Sequence, residues 1–362
     1  MFQCAAIHKN IRIEGSNATG LRVIPCCVYQ TNNNYGTLAE YHASDEYQQL
    51  STATDWPAGC NTCKKQEQQN QTSYRQHANH ALAEIKGRRF ELFPSNICNL
   101  KCVMCGPASS SALAQEQRII GITDDRYTKE FDASDEVVAI LEQADDIESI
   151  SLIGGEFFLA KSNLRILELA IKRHLPVRVV TNATVILPGH LNMLQQLKNL
   201  ELQISCDGIN AHYEFMRYPA KWNIFLANTK TLIASLPRAK INFHFVVQPL
   251  NVQNLIPSLA FLNTLKKPTR VTNLVQPEHV GWSILTDHER NRIISVMRSQ
   301  LAEFKLTDRQ RSNITDLIET ICCVDYSEAQ RQMFSNVVGR IMTHRGFDMV
   351  EVERFELPTN SV

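Results

Sequence analysis

The segment CNLKCVMC carries the strongest chemical signal in this 362-residue chain: Cys98, Cys102 and Cys105 are separated by three and then two residues. Such short gaps let a loop wrap three thiolates around three corners of one cuboidal iron–sulfur cluster, leaving a fourth iron open to another ligand. A structural zinc site wants a fourth protein ligand, often from a second nearby pair. The next Cys or His after Cys105 is His174. The spacing therefore favours a reactive cluster with a vacant position over a closed zinc knuckle.

Eight of the 11 cysteines fall within the first 105 residues. In an intracellular chain of this size such a concentration points to metal rather than to disulfides. Cys60-Asn61-Thr62-Cys63 is a CxxC pair, a metal signal that does not choose iron over zinc. Cys4 and one of Cys26 and Cys27 would complete four ligands; the pair leaves open which, and His8 and His42 are alternative donors. Residues 1 to about 85 are polar and irregular in pattern, and are expected to be folded by a metal rather than by a core. Cys206, Cys322 and Cys323 read as ordinary thiols.

The elements that must position these residues begin near residue 88, where short apolar runs alternate with amphipathic stretches. The pattern predicts strands over 88–93, 148–153, 176–181, 200–205, 241–248 and 270–275, and helices over 134–146, 163–174, 222–236 and 254–267, with Ser134 as an N-cap and Pro257 near a helix start. Three helices follow from about residue 286, the clearest over 327–344. Strands alternating with helices imply parallel βαβ units. The expected fold is α/β, a partial (βα)6 TIM-like barrel over 86–285, between a cysteine-rich module over 1–85 and a helical extension over 286–362. The CNLKCVMC segment starts five residues after the first barrel strand, at the carboxyl end where barrel active sites are built.

Lys+Arg and Asp+Glu both number 37, so no global field draws the chain to nucleic acid or an anionic membrane. No run has the length of a membrane span and the N-terminus lacks a signal-peptide core, which reads as a cytoplasmic protein.

In this arrangement the sequence resembles the radical SAM superfamily, whose signature is CxxxCxxC in the loop after the first barrel strand. The resemblance implies a 4Fe–4S cluster on Cys98, Cys102 and Cys105 that reductively cleaves S-adenosylmethionine (SAM) to a 5′-deoxyadenosyl radical. Met104 stands where the family usually has an aromatic residue near adenine, and a soft apolar side chain can fill that role. Gly154-Gly155-Glu156 is similar to the motif that holds the SAM amino group. Thr181-Asn182-Ala183-Thr184 is similar to TNGT, and Ser205-Cys206-Asp207-Gly208 to SLDG. These motifs imply contacts from Thr181, Asn182, Ser205 and Asp207 to the ribose and the carboxylate, with Arg217 pairing the carboxylate. Gln248 and Asn251 resemble polar contacts at the barrel rim, whereas His244 reads as a packed barrel residue.

The stretch holding Cys4, Cys26, Cys27, Cys60 and Cys63 resembles the auxiliary-cluster module of SPASM or twitch-type relatives, placed before the barrel. It implies a second 4Fe–4S cluster, a peptide or small-molecule substrate, and an electron donor such as flavodoxin or ferredoxin. Two other readings compete: a non-enzymatic iron–sulfur or zinc protein with a redox or regulatory role, and an RNA-modifying radical SAM enzyme. The first leaves the motifs at the later strand ends without a purpose.

Overall fold

The computed structural model describes residues 2–16, 20–68, 72–122, 130–274 and 277–347. Its strands are β1 (Asn10–Ser16), β2 (Gly20–Ile24), β3 (Arg88–Phe93), β4 (Ile147–Leu152), β5 (Val177–Thr181), β6 (Leu200–Ser205), β7 (Lys240–Val247) and β8 (Thr269–Asn273). They form one sheet in the order β2-β1-β3-β4-β5-β6-β7-β8. β2 pairs antiparallel with β1, while β1–β3, β3–β4, β4–β5 and β7–β8 are parallel. Helices such as Ser134–Glu142, Asn163–Lys172, Trp222–Ser235 and Val252–Thr264 connect the parallel strands, giving the expected α/β, partial TIM-like arrangement. Asp287–Glu303, Asp308–Cys322 and Glu328–His344 supply the helical C-terminal part. No described helix is long and apolar enough to cross a membrane.

The six expected strands form within one residue of their anticipated starts. Two further strands come from the segment expected to be irregular. In β1, Ile11 and Ile13 are buried while Arg12 and Glu14 alternate with them and pair at 2.7 Å, the period-two pattern of a half-buried strand. That segment also holds helices, including Asn61–Gln68 and Tyr74–Ala81. Ser134 is not the N-cap but the first helical residue; Asp132 Oδ1 accepts from its N–H at 3.1 Å and its hydroxyl at 2.7 Å. Pro257 lies inside its helix rather than near the start. Its missing N–H frees the carbonyl of Gln253, and Gln300 Nε2 donates to that oxygen at 2.9 Å.

The chain divides into two compact units, Met1–Ile97 with Lys129–Val180 and Leu187–Glu201, and Cys98–Thr128 with Thr181–Ile186 and Leu202–Val362. The first is built around buried residues such as Ile13, Phe90, Leu92, Ile150 and Phe158. In the second, Phe245, Ile256, Met297, Ile321 and Phe334 belong to one apolar cluster, against which Val103 and Met104 of the cysteine segment pack.

Candidate metal and cofactor site

Gly154, Gly155 and Glu156 belong to the first unit. Gly154 has φ +86° and Gly155 φ +53°, a region that L side chains rarely adopt. A Cβ on Gly155 would meet the Ile97 carbonyl oxygen at 2.6 Å, so the turn sits directly against the strand-end segment that leads into Cys98. Glu156 is 1% exposed; its N–H donates to Ile97 O at 2.7 Å and its Oε1 accepts from Phe158 N–H at 3.2 Å. Gly155→Ala is expected to lower stability by about 2 kcal/mol or more, from backbone strain and the clash together. Urea denaturation checks this, and an unchanged midpoint would contradict the close approach.

The remaining motif residues belong to the second unit. The cysteine segment is pinned by its own backbone: Lys101 N–H donates to Tyr218 O at 2.6 Å and Val103 N–H to Met216 O at 3.0 Å. Ser110, the N-cap of helix Ser111–Ile119, also donates its hydroxyl to Leu100 O at 2.6 Å. Ser111 Oγ accepts from Cys98 N–H at 3.3 Å. Burial pushes the Cys105 thiol up, and its neighbours Cys102 and Cys98 push it further, so the three thiols share one electrostatic neighbourhood. Among the described residues, no three His, Cys, Asp or Glu side chains gather tightly enough to hold a single metal ion. A cubane spreads its thiolates over different irons, so its ligands stand farther apart than those of one ion.

Tethering Met216 and Tyr218 to the loop brings Arg217 beside it. Arg217 Nη1 lies 3.9 Å from Cys102 Sγ, and Nη2 lies 2.5 Å from Asp207 Oδ2. Asp207 is fully buried and accepts Val246 N–H at 2.7 Å. Burial pushes its carboxyl above the ordinary range, opposed by the Arg217 guanidinium and the Val246 N–H. Asp207 thus holds Arg217 rather than offering a free carboxylate, while Arg217 Nε is buried without a partner. Asp207→Asn leaves that guanidinium buried and uncompensated, and is expected to cost about 3–5 kcal/mol. A loss below about 1 kcal/mol in chemical denaturation would show that the pair is solvated.

The carboxyl end of β5 is a polar knot tied to the cysteine segment. Asn182 Oδ1 accepts from Thr184 N–H at 2.9 Å and its hydroxyl at 2.7 Å, Asn182 Nδ2 donates to Asn99 Oδ1 at 3.1 Å, and Asn99 Nδ2 donates to Thr184 Oγ1 at 2.9 Å. Thr181 Oγ1 accepts Ala183 N–H at 3.0 Å. Ser205 ends β6 and is half-buried. Asn251 donates to Asp207 O and Val246 O at 3.2 and 2.9 Å and accepts Gln248 N–H, so it shapes the turn. The Gln248 amide, by contrast, is fully buried with neither polar atom partnered, which suits a bound polar group. His244 is packed as expected, bonded to Gln203 and Thr272.

The N-terminal cysteines sort themselves. Cys4 and Cys26 belong to one small apolar cluster with Ala6, Ala78 and Leu82. Cys60 ends a 3-10 turn and Cys63 lies in the helix that follows. Burial pushes the Cys26 thiol well up, with Cys27, Cys4 and Cys63 adding to it; Cys60 is pushed up to about 12 by burial, then by Cys4 and Cys63. Cys27 is exposed, and besides Cys26 its charged neighbours are Glu91, Arg12 and Arg89. His42 contacts Arg88 Nη1 at 3.0 Å and packs on Tyr41 and Tyr47, and His8 is exposed. Arg75, in the helix Tyr74–Ala81, sets a positive charge near Cys4 and Cys63; sequence reasoning gave it no role.

Residues 92–262 match the Radical SAM superfamily. The matched segment holds Cys98, Cys102 and Cys105 and the motif residues from Gly154 to Asn251. No curated protein matches the chain. Among solved structures it is similar to native anSMEcpe with bound AdoMet, at 21% identity over 52% of this chain and 53% of that one, TM-score 0.40. It is also similar to SuiB of Streptococcus suis bound to precursor peptide SuiA, at 16% identity over 68% and 61%, TM-score 0.43. A third is the radical S-adenosylmethionine methyltransferase TsrM from Kitasatospora setae with cobalamin and a 4Fe–4S cluster, at 13% identity over 52% and 34%, TM-score 0.36. The chain thus spans 53% and 61% of the length of the first two.

Proposed function

We propose that this chain is a radical SAM enzyme of the auxiliary-cluster type, acting on a peptide. The observation that carries the reading is the buried Arg217 beside Cys102, within a domain matched to the Radical SAM superfamily. A reduced 4Fe–4S cluster on Cys98, Cys102 and Cys105 would supply one electron to SAM, releasing methionine and a 5′-deoxyadenosyl radical that abstracts hydrogen from substrate. Arg217, fixed by Asp207, offers its unpartnered Nε to a carboxylate. Glu156 is the residue for the ammonium group, Met104 for the adenine, and Thr181, Asn182 and Ser205 for the ribose, directly or by shaping the strand ends.

The proposed division of labour follows the chain: an auxiliary module over 1–85, the radical SAM barrel over 86–285 and a helical extension over 286–362. Cys4, Cys26, Cys60 and Cys63 are the proposed ligands of a second 4Fe–4S cluster, whose four thiolates would close its coordination. The peptide class follows from the resemblance of this module to auxiliary-cluster relatives, and flavodoxin or ferredoxin is the proposed electron source.

Anaerobic reconstitution with iron and sulfide, followed by dithionite and SAM, is expected to yield 5′-deoxyadenosine by mass spectrometry. No product above the protein-free control overturns the reading. Faster formation with a short peptide encoded beside the gene supports the substrate class, and stimulation by small metabolites alone overturns it.

A further inference from the structure

The helix Glu328–His344 ends in a Schellman cap. Gly346, at φ +80°, donates its N–H to Thr343 O at 3.1 Å, and Phe347 N–H donates to Met342 O at 2.9 Å. Phe347 packs on Phe215 at 5.1 Å between ring centroids. This termination fixes Arg345, the C-cap residue, whose side chain is 1% exposed. Arg345 Nη2 donates to Glu116 Oε2 at 2.6 Å and to the Lys101 carbonyl at 2.7 Å, and Nε donates to Glu116 Oε1 at 3.1 Å. The guanidinium also lies 4.8 Å from the Tyr218 ring centroid. Lys101 Nζ reaches the same Glu116 at 3.3 Å. The residue between Cys98 and Cys102 that bonds backbone to Tyr218 is therefore also held by the end of a helix more than two hundred positions away.

One donor is left over. Arg345 Nη1 is buried with no partner, and Arg345 lines a cavity of about 180 Å3 together with Cys102, Cys105 and Gly106. A buried, unsatisfied cationic donor is costly unless something accepts from it. Thiolate and sulfide sulfurs are acceptors, and hydrogen bonds and net charge around a cluster set its potential.

We propose that Arg345 is a positioning residue for the cluster loop, clamping Lys101 through its carbonyl and presenting Nη1 to the sulfurs held at Cys102 and Cys105, where its charge raises the reduction potential. The inference rests on the radical SAM reading. Glu116 is its counterweight: it orients Arg345 and opposes its charge.

The test is an EPR-monitored redox titration of the reconstituted full chain, following the cluster signal that disappears in Cys102→Ala. Arg345→Gln is expected to shift the midpoint potential downward and Glu116→Gln upward, with Arg345→Lys staying nearer the wild type than Arg345→Gln. Loss of the cluster in Arg345→Gln but not in Arg345→Lys also supports the clamp. A wild-type cluster whose potential is unmoved by both Arg345→Gln and Glu116→Gln overturns this inference alone. A wild-type protein with no signal dependent on Cys102 overturns the reading beneath it as well.

Discussion

Replacing Cys102 with Ala is expected to abolish 5′-deoxyadenosine formation and to remove roughly four irons per chain, from about eight when both sites load. Cys102 is 8% exposed, and its sulfur faces Arg217 Nη1 at 3.9 Å. Without that thiolate two cysteines remain on the segment, and Cys206 of the same unit is fully buried and donates its thiol to Gly208 O at 3.2 Å. Cys98→Ala and Cys105→Ala are expected to behave as Cys102→Ala does. Cys206→Ala is the control. A buried free thiol behaves as a small hydrophobe, so its loss is expected to cost about 1 kcal/mol of stability while leaving iron content and product formation in place. Iron assay and product mass spectrometry read both variants. A Cys102→Ala protein with full iron and full product would remove the basis of the proposed reaction.

Much of the barrel could be read from the sequence because its strands are short apolar runs bounded by turn residues. Burial of Phe243, Phe245 and Val247 along β7 is what the run INFHFVV implies. β1 went unread although Ile11 and Ile13 alternate with charges, because polar stretches on both sides hide four informative residues. The cysteine spacing could be read because three cysteines lie within eight residues. What supports them could not. Glu116 and Arg345 are 229 positions apart, and each alone looks like a solvated charge on an amphipathic helix. The same holds for Asp207 and Arg217, whose motif resemblance suggested two ligand contacts, whereas the packing makes one of them the support of the other. Sequence periodicity places a residue on a face. It does not say which distant face is opposite.

Cys26→Ala and Cys27→Ala should part company. Adjacent residues at a turn project differently, so the pair CC leaves the ligand undetermined, but their surroundings differ. Cys26 shares an apolar cluster with Cys4 and feels the charge of Cys4 and Cys63, whereas Cys27 is exposed among Glu91, Arg12 and Arg89. Cys26→Ala is therefore expected to lose roughly four irons per chain, as are Cys4→Ala, Cys60→Ala and Cys63→Ala, with the Cys102-dependent 5′-deoxyadenosine activity retained. Cys27→Ala is expected to keep all its iron. With the proposed cluster tying Cys4, Cys26, Cys60 and Cys63 together, the Cys26→Ala protein should also unfold in a separate, earlier step that Cys27→Ala lacks. Elemental analysis for iron and zinc on the same samples distinguishes a cluster from a single zinc, which would replace the lost irons with one metal. Iron loss in Cys27→Ala but not in Cys26→Ala would invert the assignment, and unchanged iron in both would mean that these thiols hold no cluster.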